Sequence, residues 1–177
     1  GGYQMLGERI SDPLHTESEH DVVEGLGYLP LTTTFAARKH LRQVTADCAA
    51  FPFLGENISV HGMRGYEIHM GDTTYAEEVC HPFRIVRAGN AEESVLDGAV
   101  SADGRIAGTY IHGIFDDDHF RRAVLNRLRA RRGMEELPIQ YRCGAEKEHA
   151  YDRLAATVQR SLDMDKLAAI IAAGDAR

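Results

Sequence analysis

The sequence lacks paired cysteines, apolar runs of membrane length and a surplus of positive charge. Its three cysteines, Cys48, Cys80 and Cys143, are widely spaced and form no C-x-x-C pair, so neither a zinc ribbon nor a dithiol redox motif is supported. We interpret them as free thiols in a reducing compartment. Because neither a membrane-length apolar run nor a signal peptide is present, we expect a cytoplasmic protein without a membrane partner.

The net charge also limits the partners. A formal charge of −7 and a pI near 5.7 argue against a nucleic-acid partner, because binding a polyanion usually needs a basic surface. The length of 177 residues suits one domain with a sizeable core.

Hydrophobic periodicity places strands in the middle of the chain and helices at its ends. Strand patterns cover residues 29–46 with a turn at 36–38, then 58–63, 65–70 and 83–86, and a hairpin over 94–111 that turns at 102–104. Helix patterns cover residues 1–10, the stretch between the acidic triplet 116–118 and Gly133, and residues 146–162 and 164–173. This order predicts an α/β fold. The sheet has few strands for such a domain, so we expect further strands upstream.

The chain begins with GGYQMLG, which places two glycines at the start of an apolar helical stretch. Small residues are typical of the helical half of a nucleophile elbow, where strand and helix backbones pass very close. The residue after the nucleophile donates its backbone N–H to the oxyanion. The other interpretation of Gly1 and Gly2 is a flexible chain end.

A second candidate is His112 in GTYIHGIFDDDHF, at the end of a predicted strand. Reactive groups collect at strand ends in α/β folds, and a neutral histidine there can act as general base and acid. The aspartates 116–118 and His119 could hold a metal. We favour helix capping by the aspartates, because it accounts for all three of them.

A third candidate is the strand RGYEIHMG, which is rich in hydrogen-bonding groups. Alternation places Glu67 and His69 on one face and Tyr66 on the other. The alternative is a half-exposed strand with its polar residues facing water.

Three further groups have a structural explanation that we favour over a functional one. A metal could be bound by His15, Glu17, Glu19 and His20, but these residues lie in a predicted loop. Cys80 stands beside His81 and could be a nucleophile, but neighbouring residues of a strand point to opposite faces. The six arginines between 121 and 132 suit a solvated helix face.

The three motifs GGYQMLG, RGYEIHMG and GTYIHGIFD, in this order and spacing, closely resemble the C-terminal glutaminase domain of the cobyric acid synthase family. These are class I glutamine amidotransferases of flavodoxin-like α/β fold. The resemblance also includes GLGYLPLTTTF, the helix FRRAVLNRLR and the closing helix LDMDKLAAII, so it covers nearly the whole chain. It implies that residues 1–177 are a single partial glutaminase domain with a C-terminal helical extension.

The resemblance also implies a set of site residues. The family's nucleophilic cysteine would stand immediately before Gly1, so we expect this chain to be inactive by itself. Gly1 N–H would hold the oxyanion and His112 would carry the proton to ammonia. Gln4, Tyr66, Glu67 and His69 would lie at the glutamine, with Glu67 also a candidate for the orienting carboxylate, since Ile114 stands where many relatives have glutamate.

The implied function is release of ammonia from glutamine for ATP-dependent amidation of a corrinoid in cobalamin biosynthesis. We expect no metal or cofactor in this domain; ATP and magnesium would serve an upstream synthetase domain, which would also bind the corrinoid. Two alternatives stay open. One is a glutaminase subunit that amidates a cell-wall lipid intermediate, and the other is a non-catalytic binding domain of the same fold.

Overall fold

A computed structural model describes residues 1–174, apart from the side chain of Arg38, and divides the chain into two compact units. The first unit, residues 1–139, contains the strands β1 Arg9–Ser11, β2 Val22–Glu24, β3 Leu31–Phe53, β4 Glu56–Tyr75, β5 Phe83–Ala88, β6 Ala91–Asp97, β7 Ala99–Val100, β8 Ala107–Gly108 and β9 Ile111–His112. It also contains the helices α1 Gly2–Met5 and α2 Asp118–Arg131 and a 3₁₀ turn, Ile114–Asp116. The second unit, from residue 140 onward, contains the helices α3 Cys143–Ser161 and α4 Met164–Gly174.

A seven-stranded sheet forms the centre of the first unit, with the order β2-β1-β3-β4-β9. Strands β1 and β5 pair with different halves of the long β3, and β6 extends the sheet from β5. Among the described residues, β1 with β3 is the one parallel pairing in this sheet. The fold is therefore mixed α/β, as the order of the predicted elements indicated.

The hairpin of β3 and β4 carries a large irregularity where the sequence predicts a turn. Thr34 pairs with Asp72 and Lys39 with Met70, so residues 35–38 of β3 bulge out opposite the single residue Gly71. A side chain at Gly71 would overlap the carbonyl oxygen of Thr34, and its φ of +94° also favours glycine. The predicted turn at 36–38 is thus wrong: the strand continues through a bulge, and the chain reverses at residues 54–55.

The N-terminal predictions need correction as well. Helix α1 ends at Met5, because the following residues Arg9–Ser11 form β1 between Val22–Glu24 and the start of β3. Strand β2 lies just after residues 15–20 of the predicted loop, in a stretch for which the sequence patterns predict no strand. Both strands are three residues long and are held by partners distant in sequence, which local periodicity does not reveal.

The later elements agree better with the sequence patterns. Within the predicted hairpin, β7 and β8 pair around a turn at residues 101–104, although the preceding β6 pairs with β5 instead. Of the three aspartates, Asp117 caps α2, since its carboxylate accepts the N–H of Phe120 at 2.8 Å. Asp116 belongs to the 3₁₀ turn, and Asp118 lies inside α2 and pairs with Arg121. The expectation that all three are caps was therefore too broad.

Two apolar clusters form the core of the first unit. The larger one joins the sheet to α2 through Phe120, which is fully buried and stacks on Phe51 at 6.1 Å. The smaller one holds α1 through Tyr3, Leu29 and Leu31. Within the range 1–174, no helix is long and apolar enough to cross a membrane.

Candidate functional site

A cleft of about 430 Å³ opens on the first unit where α1, β9 and the middle of β4 meet the bulge of β3. Its lining consists mainly of polar and aromatic residues. They are Gly1, Gly2, Tyr3, Gln4, Glu17, Phe35, Lys39, Tyr66, Ile68, His69, Met70, Thr109, Tyr110 and His112. All three sequence motifs therefore meet at this one place.

His112 reaches the cleft from the last strand of the sheet. Strand β9 pairs with β4 so that His112 lies opposite Tyr66, and the two rings stack at 5.0 Å with an interplanar angle of 5°. Gly65 makes this approach possible, because a Cβ at that position would lie 2.5 Å from the carbonyl oxygen of His112. The imidazole is exposed, so a ligand in the cleft can reach it.

Glu67 lies beneath the cleft and is not part of its lining. Its carboxylate accepts a hydrogen bond from Arg42 Nε at 2.6 Å and lies 2.7 Å from Nε2 of His69. Desolvation opposes ionisation, but the hydrogen bonds and charges of His69 and Arg42 lower the pKa of Glu67 to about 2. Glu67 is therefore ionised at neutral pH, and the described hydrogen bonds link it to His69 rather than to His112.

The ring of His69 is fixed on several sides. It stacks on His40 at 4.9 Å and on Tyr110 at 4.0 Å, and its Nδ1 lies 3.2 Å from the carbonyl oxygen of Gly71. Because both ring nitrogens have partners and both faces are covered, His69 contributes a rigid edge to the cleft.

Helix α1 positions Gly1 and Gln4 side by side. Gln4 is buried and donates from Nε2 to the carbonyl oxygen of Met70 at 3.0 Å. A Cβ built on Gly1 would lie 3.6 Å from Oε1 of Gln4, so the backbone of Gly1 and the side-chain amide of Gln4 lie at the same end of the cleft. Tyr3 anchors the helix through its hydroxyl, which lies 2.9 Å from that of Tyr75.

A buried acid holds the part of the cleft wall formed by Thr109 and Tyr110, and the sequence analysis did not identify this acid. Asp97 accepts hydrogen bonds from the hydroxyl of Thr109 and the backbone N–H of Tyr110. Thr109 in turn accepts the N–H of Ile111 at 2.9 Å. Desolvation raises the pKa of Asp97 above its ordinary value. Asp97 thereby fixes the segment that carries Tyr110 and leads into His112; its isolated position at the end of a strand gave no signal in the sequence.

Most of the predicted site residues come together, and of the described residues in the competing groups Glu17 alone lines this cleft. Gly1, Gln4, Tyr66, His69 and His112 line the cleft, with Glu67 behind it. Sequence reasoning missed the cleft positions of Glu17, Phe35, Lys39, Thr109 and Tyr110.

Cys80 is not among the cleft residues, and partial desolvation raises the pKa of its thiol, which disfavours the nucleophilic thiolate. Its neighbour His81 is directed to the carbonyl oxygen of Gly98 at 2.6 Å. Within the described part of the chain, no group of three or more histidine, cysteine, aspartate or glutamate side chains could hold a metal ion.

Comparison with known proteins identifies the family of this chain. Residues 1–120 match the family described as CobB/CobQ-like glutamine amidotransferase domain. The chain is 42% identical over 172 residues to the cobyric acid synthase of Moorella thermoacetica, covering 97% of this chain and 33% of that protein. It is 41% identical over 173 residues to the cobyric acid synthase of Streptococcus sanguinis, covering 97% and 32%. The chain thus spans about a third of the length of the curated relatives it matches.

Proposed function

The chain belongs to the CobB/CobQ-like glutamine amidotransferase family, and on that premise we propose that it is the glutaminase part of a cobyric acid synthase. It releases ammonia from glutamine for amidation of the carboxylates of adenosylcobyrinic acid a,c-diamide. The observation that carries this proposal is the meeting of Gly1, Gln4 and His112, from two distant motifs, in one cleft.

The nucleophile in this proposal is a cysteine immediately before Gly1 in the longer protein. Its thiolate attacks the carboxamide carbon of glutamine, and the carbonyl π electrons move onto the oxygen. The backbone N–H of Gly1 then stabilises that oxyanion, since the position after a nucleophile is the one that faces it. The location of Gly1 at the edge of the cleft supports this assignment.

His112 carries the proton in both halves of the reaction. It takes the proton of the cysteine thiol and delivers it to the departing ammonia, which leaves a γ-glutamyl thioester. It then removes a proton from the water that attacks the thioester, and the thiolate leaves as glutamate forms. Its exposed ring is supported from one side by Tyr66, which fixes its plane without occupying its ring nitrogens.

The other site residues hold the substrate. Gln4, Tyr66 and His69 offer an amide, a phenol ring and an imidazole edge to the glutamine. Glu67 acts through His69, because its carboxylate bonds to that ring. We therefore assign Glu67 to positioning His69, and no described hydrogen bond supports a role in orienting His112.

The rest of the reaction belongs to other parts of the longer protein in this proposal. ATP and magnesium activate the corrinoid carboxylate in a synthetase domain, and the glutaminase domain itself uses neither. We also propose that the sheet is part of a flavodoxin-like class I fold, which the match of residues 1–120 to the glutamine amidotransferase family supports. The helices α3 and α4 are then an extension of the glutaminase domain.

The experiment compares nitrogen sources in the full-length protein. We expect His112→Ala to lower the rate of glutamine-dependent amidation of the corrinoid by about 10²–10⁴-fold, which is the usual contribution of a general acid–base group. The rate of the ammonia-dependent reaction should stay the same. His119→Ala is the matched control, because His119 is exposed on α2 and absent from the cleft lining.

Three outcomes would contradict the proposal. Equal losses with both nitrogen sources would show that His112 is structural. A protein that amidates a lipid intermediate and does not amidate the corrinoid would belong to cell-wall synthesis. A full-length protein that binds glutamine and releases no glutamate would be a non-catalytic binding module.

A further inference from the structure

Two described side chains of the cleft lining carry full and opposite charges, and the mechanism above uses neither. Glu17 comes from the loop between β1 and β2, and Lys39 comes from β3. Both side chains are exposed, and across residues 1–174 neither takes part in a described side-chain hydrogen bond or ion pair. Their charges are therefore available to a ligand in the cleft.

The loop that presents Glu17 is built around a buried carboxylate. Asp12 is only 2% exposed and accepts three backbone N–H bonds, from Thr16, Glu17 and Ser18, at 2.8–2.9 Å. It also accepts the hydroxyl of Thr16 at 2.9 Å. Desolvation opposes ionisation of Asp12, but these hydrogen bonds lower the pKa of the carboxyl group to about 2. The carboxylate is therefore charged at neutral pH when it accepts these hydrogen bonds. The backbone of Glu17 is thus fixed at the rim of the cleft.

The bulge of β3 presents Lys39. The residues that flank the unpaired segment are Thr34 and Lys39, which pair with Asp72 and Met70 on either side of Gly71. A bulge redirects the side chains of its strand, and here both Phe35 and Lys39 reach the cleft. Gly71 is needed for this geometry, because a side chain there would overlap the backbone of the bulge.

We propose that Glu17 binds the α-ammonium group and Lys39 the α-carboxylate of free L-glutamine. This inference rests on the proposed function. A free amino acid at neutral pH carries one charge of each sign on the same carbon, whereas a glutamine side chain within a peptide carries neither. One carboxylate and one ammonium at the same cleft match that pair of charges, while Gly1, Gln4 and His112 serve the carboxamide end. The pair therefore selects the free amino acid.

The test combines two variants with two truncated ligands in the full-length protein. Glutaramate lacks the α-ammonium group, and 4-aminobutanamide lacks the α-carboxylate. The variants are Glu17→Gln and Lys39→Met, and the controls are Glu19→Gln in the same loop and Lys147→Met in the second unit, neither of which lines the cleft. Glutamate release gives KM and kcat for glutamine, and competition against it gives inhibition constants for the two ligands.

We expect each variant to raise KM for glutamine about 10-fold or more, the effect of one charge-assisted hydrogen bond, with little change in kcat. Glu17→Gln should leave glutaramate inhibition unchanged, and Lys39→Met should leave 4-aminobutanamide inhibition unchanged, because each ligand lacks the group that the altered residue binds. The two controls should match the unsubstituted protein.

Two results would overturn this inference alone while glutamine is still hydrolysed. One is an unchanged KM in both variants, and the other is an equal loss for glutamine and for the ligand that lacks the matching group. Failure of the unsubstituted protein to release glutamate would instead overturn the proposed function, and this inference with it.

Discussion

Glu67→Gln changes the charge beneath the cleft with almost no change in shape. The residue is 6% exposed, and its carboxylate joins Arg42 Nε at 2.6 Å to His69 Nε2 at 2.7 Å. A glutamine amide has one acceptor oxygen where the carboxylate has two, so one of these partners loses its acceptor. The variant therefore removes a charge-assisted hydrogen bond at this buried position.

The pKa of Glu67 sets the scale of the effect. A fall from the ordinary value of 4.5 to about 2 corresponds to about 3 kcal/mol of stabilisation at neutral pH, since one pKa unit is about 1.4 kcal/mol. Because the pKa of the folded state is the lower one, this stabilisation is complete above pH 4.5 and is lost as the pH falls toward 2. About half of it should be gone at pH 3.

The assay is urea unfolding of the unsubstituted protein and of Glu67→Gln between pH 7 and pH 3. We expect the variant to be less stable by about 2–3 kcal/mol at pH 7, with the difference narrowing as the pH falls. The difference between the two proteins is the informative quantity, because Asp12 has a similarly low pKa and adds the same acid dependence to both. Glu24→Gln is the control: its carboxylate is 78% exposed and pairs with Arg9 at 3.9 Å, so a loss below about 1 kcal/mol is expected.

Two results would contradict the expected role of the Glu67 charge. A destabilisation that stays constant from pH 7 to pH 3 would show that the charge of Glu67 is not its source. A variant as stable as the unsubstituted protein at pH 7 would show that the links to Arg42 and His69 contribute nothing.

Two further predictions concern the elements that carry the site. Gly65→Ala should reduce glutamate release by the full-length protein far more than Gly62→Ala, because a Cβ at Gly65 would lie 2.5 Å from the carbonyl oxygen of His112. A Cβ at Gly62 would meet no atom within 4 Å, so only the φ of +71° disfavours alanine there. Equal activities of two equally stable variants would contradict this. Asp117→Ala should lower the free energy of unfolding, measured by urea titration, by about 0.5–2 kcal/mol, because it removes the cap of α2. Asp116→Ala should lower that free energy less, since Asp116 belongs to the 3₁₀ turn, and the reverse order would contradict the assignment of the cap.

The sequence predicted the elements whose signals are local. Helix α2 repeats its apolar residues Phe120, Val124 and Leu128 at helical spacing, and it is bounded by Asp117 and Gly133. Its position could therefore be read directly, although the sequence did not distinguish Asp117 from the two neighbouring aspartates as its cap. The strands β1 and β2 could not, since each has only three residues and depends on pairing: β1 pairs with β3, and β2 pairs with β1.

The same distinction applies to the site. Its motif residues, such as Gln4, His69 and His112, stand in compact patterns that resemble a known family, and the structure brings them to one cleft. Glu17 and Lys39 have no such pattern. They reach the cleft through a loop folded around Asp12 and through a bulge opposite Gly71, and these depend on tertiary structure rather than on spacing.

The proposed function requires that this cleft bind glutamine against a nucleophile that immediately precedes Gly1. Its most direct test is labelling of the full-length protein with a glutamine analogue in which a chloromethyl ketone replaces the carboxamide, followed by peptide mapping. We expect one adduct, on the residue before Gly1. L-glutamine should prevent it, and Glu17→Gln and Lys39→Met should form it more slowly. An adduct on Cys80, or labelling that L-glutamine does not slow, would contradict it.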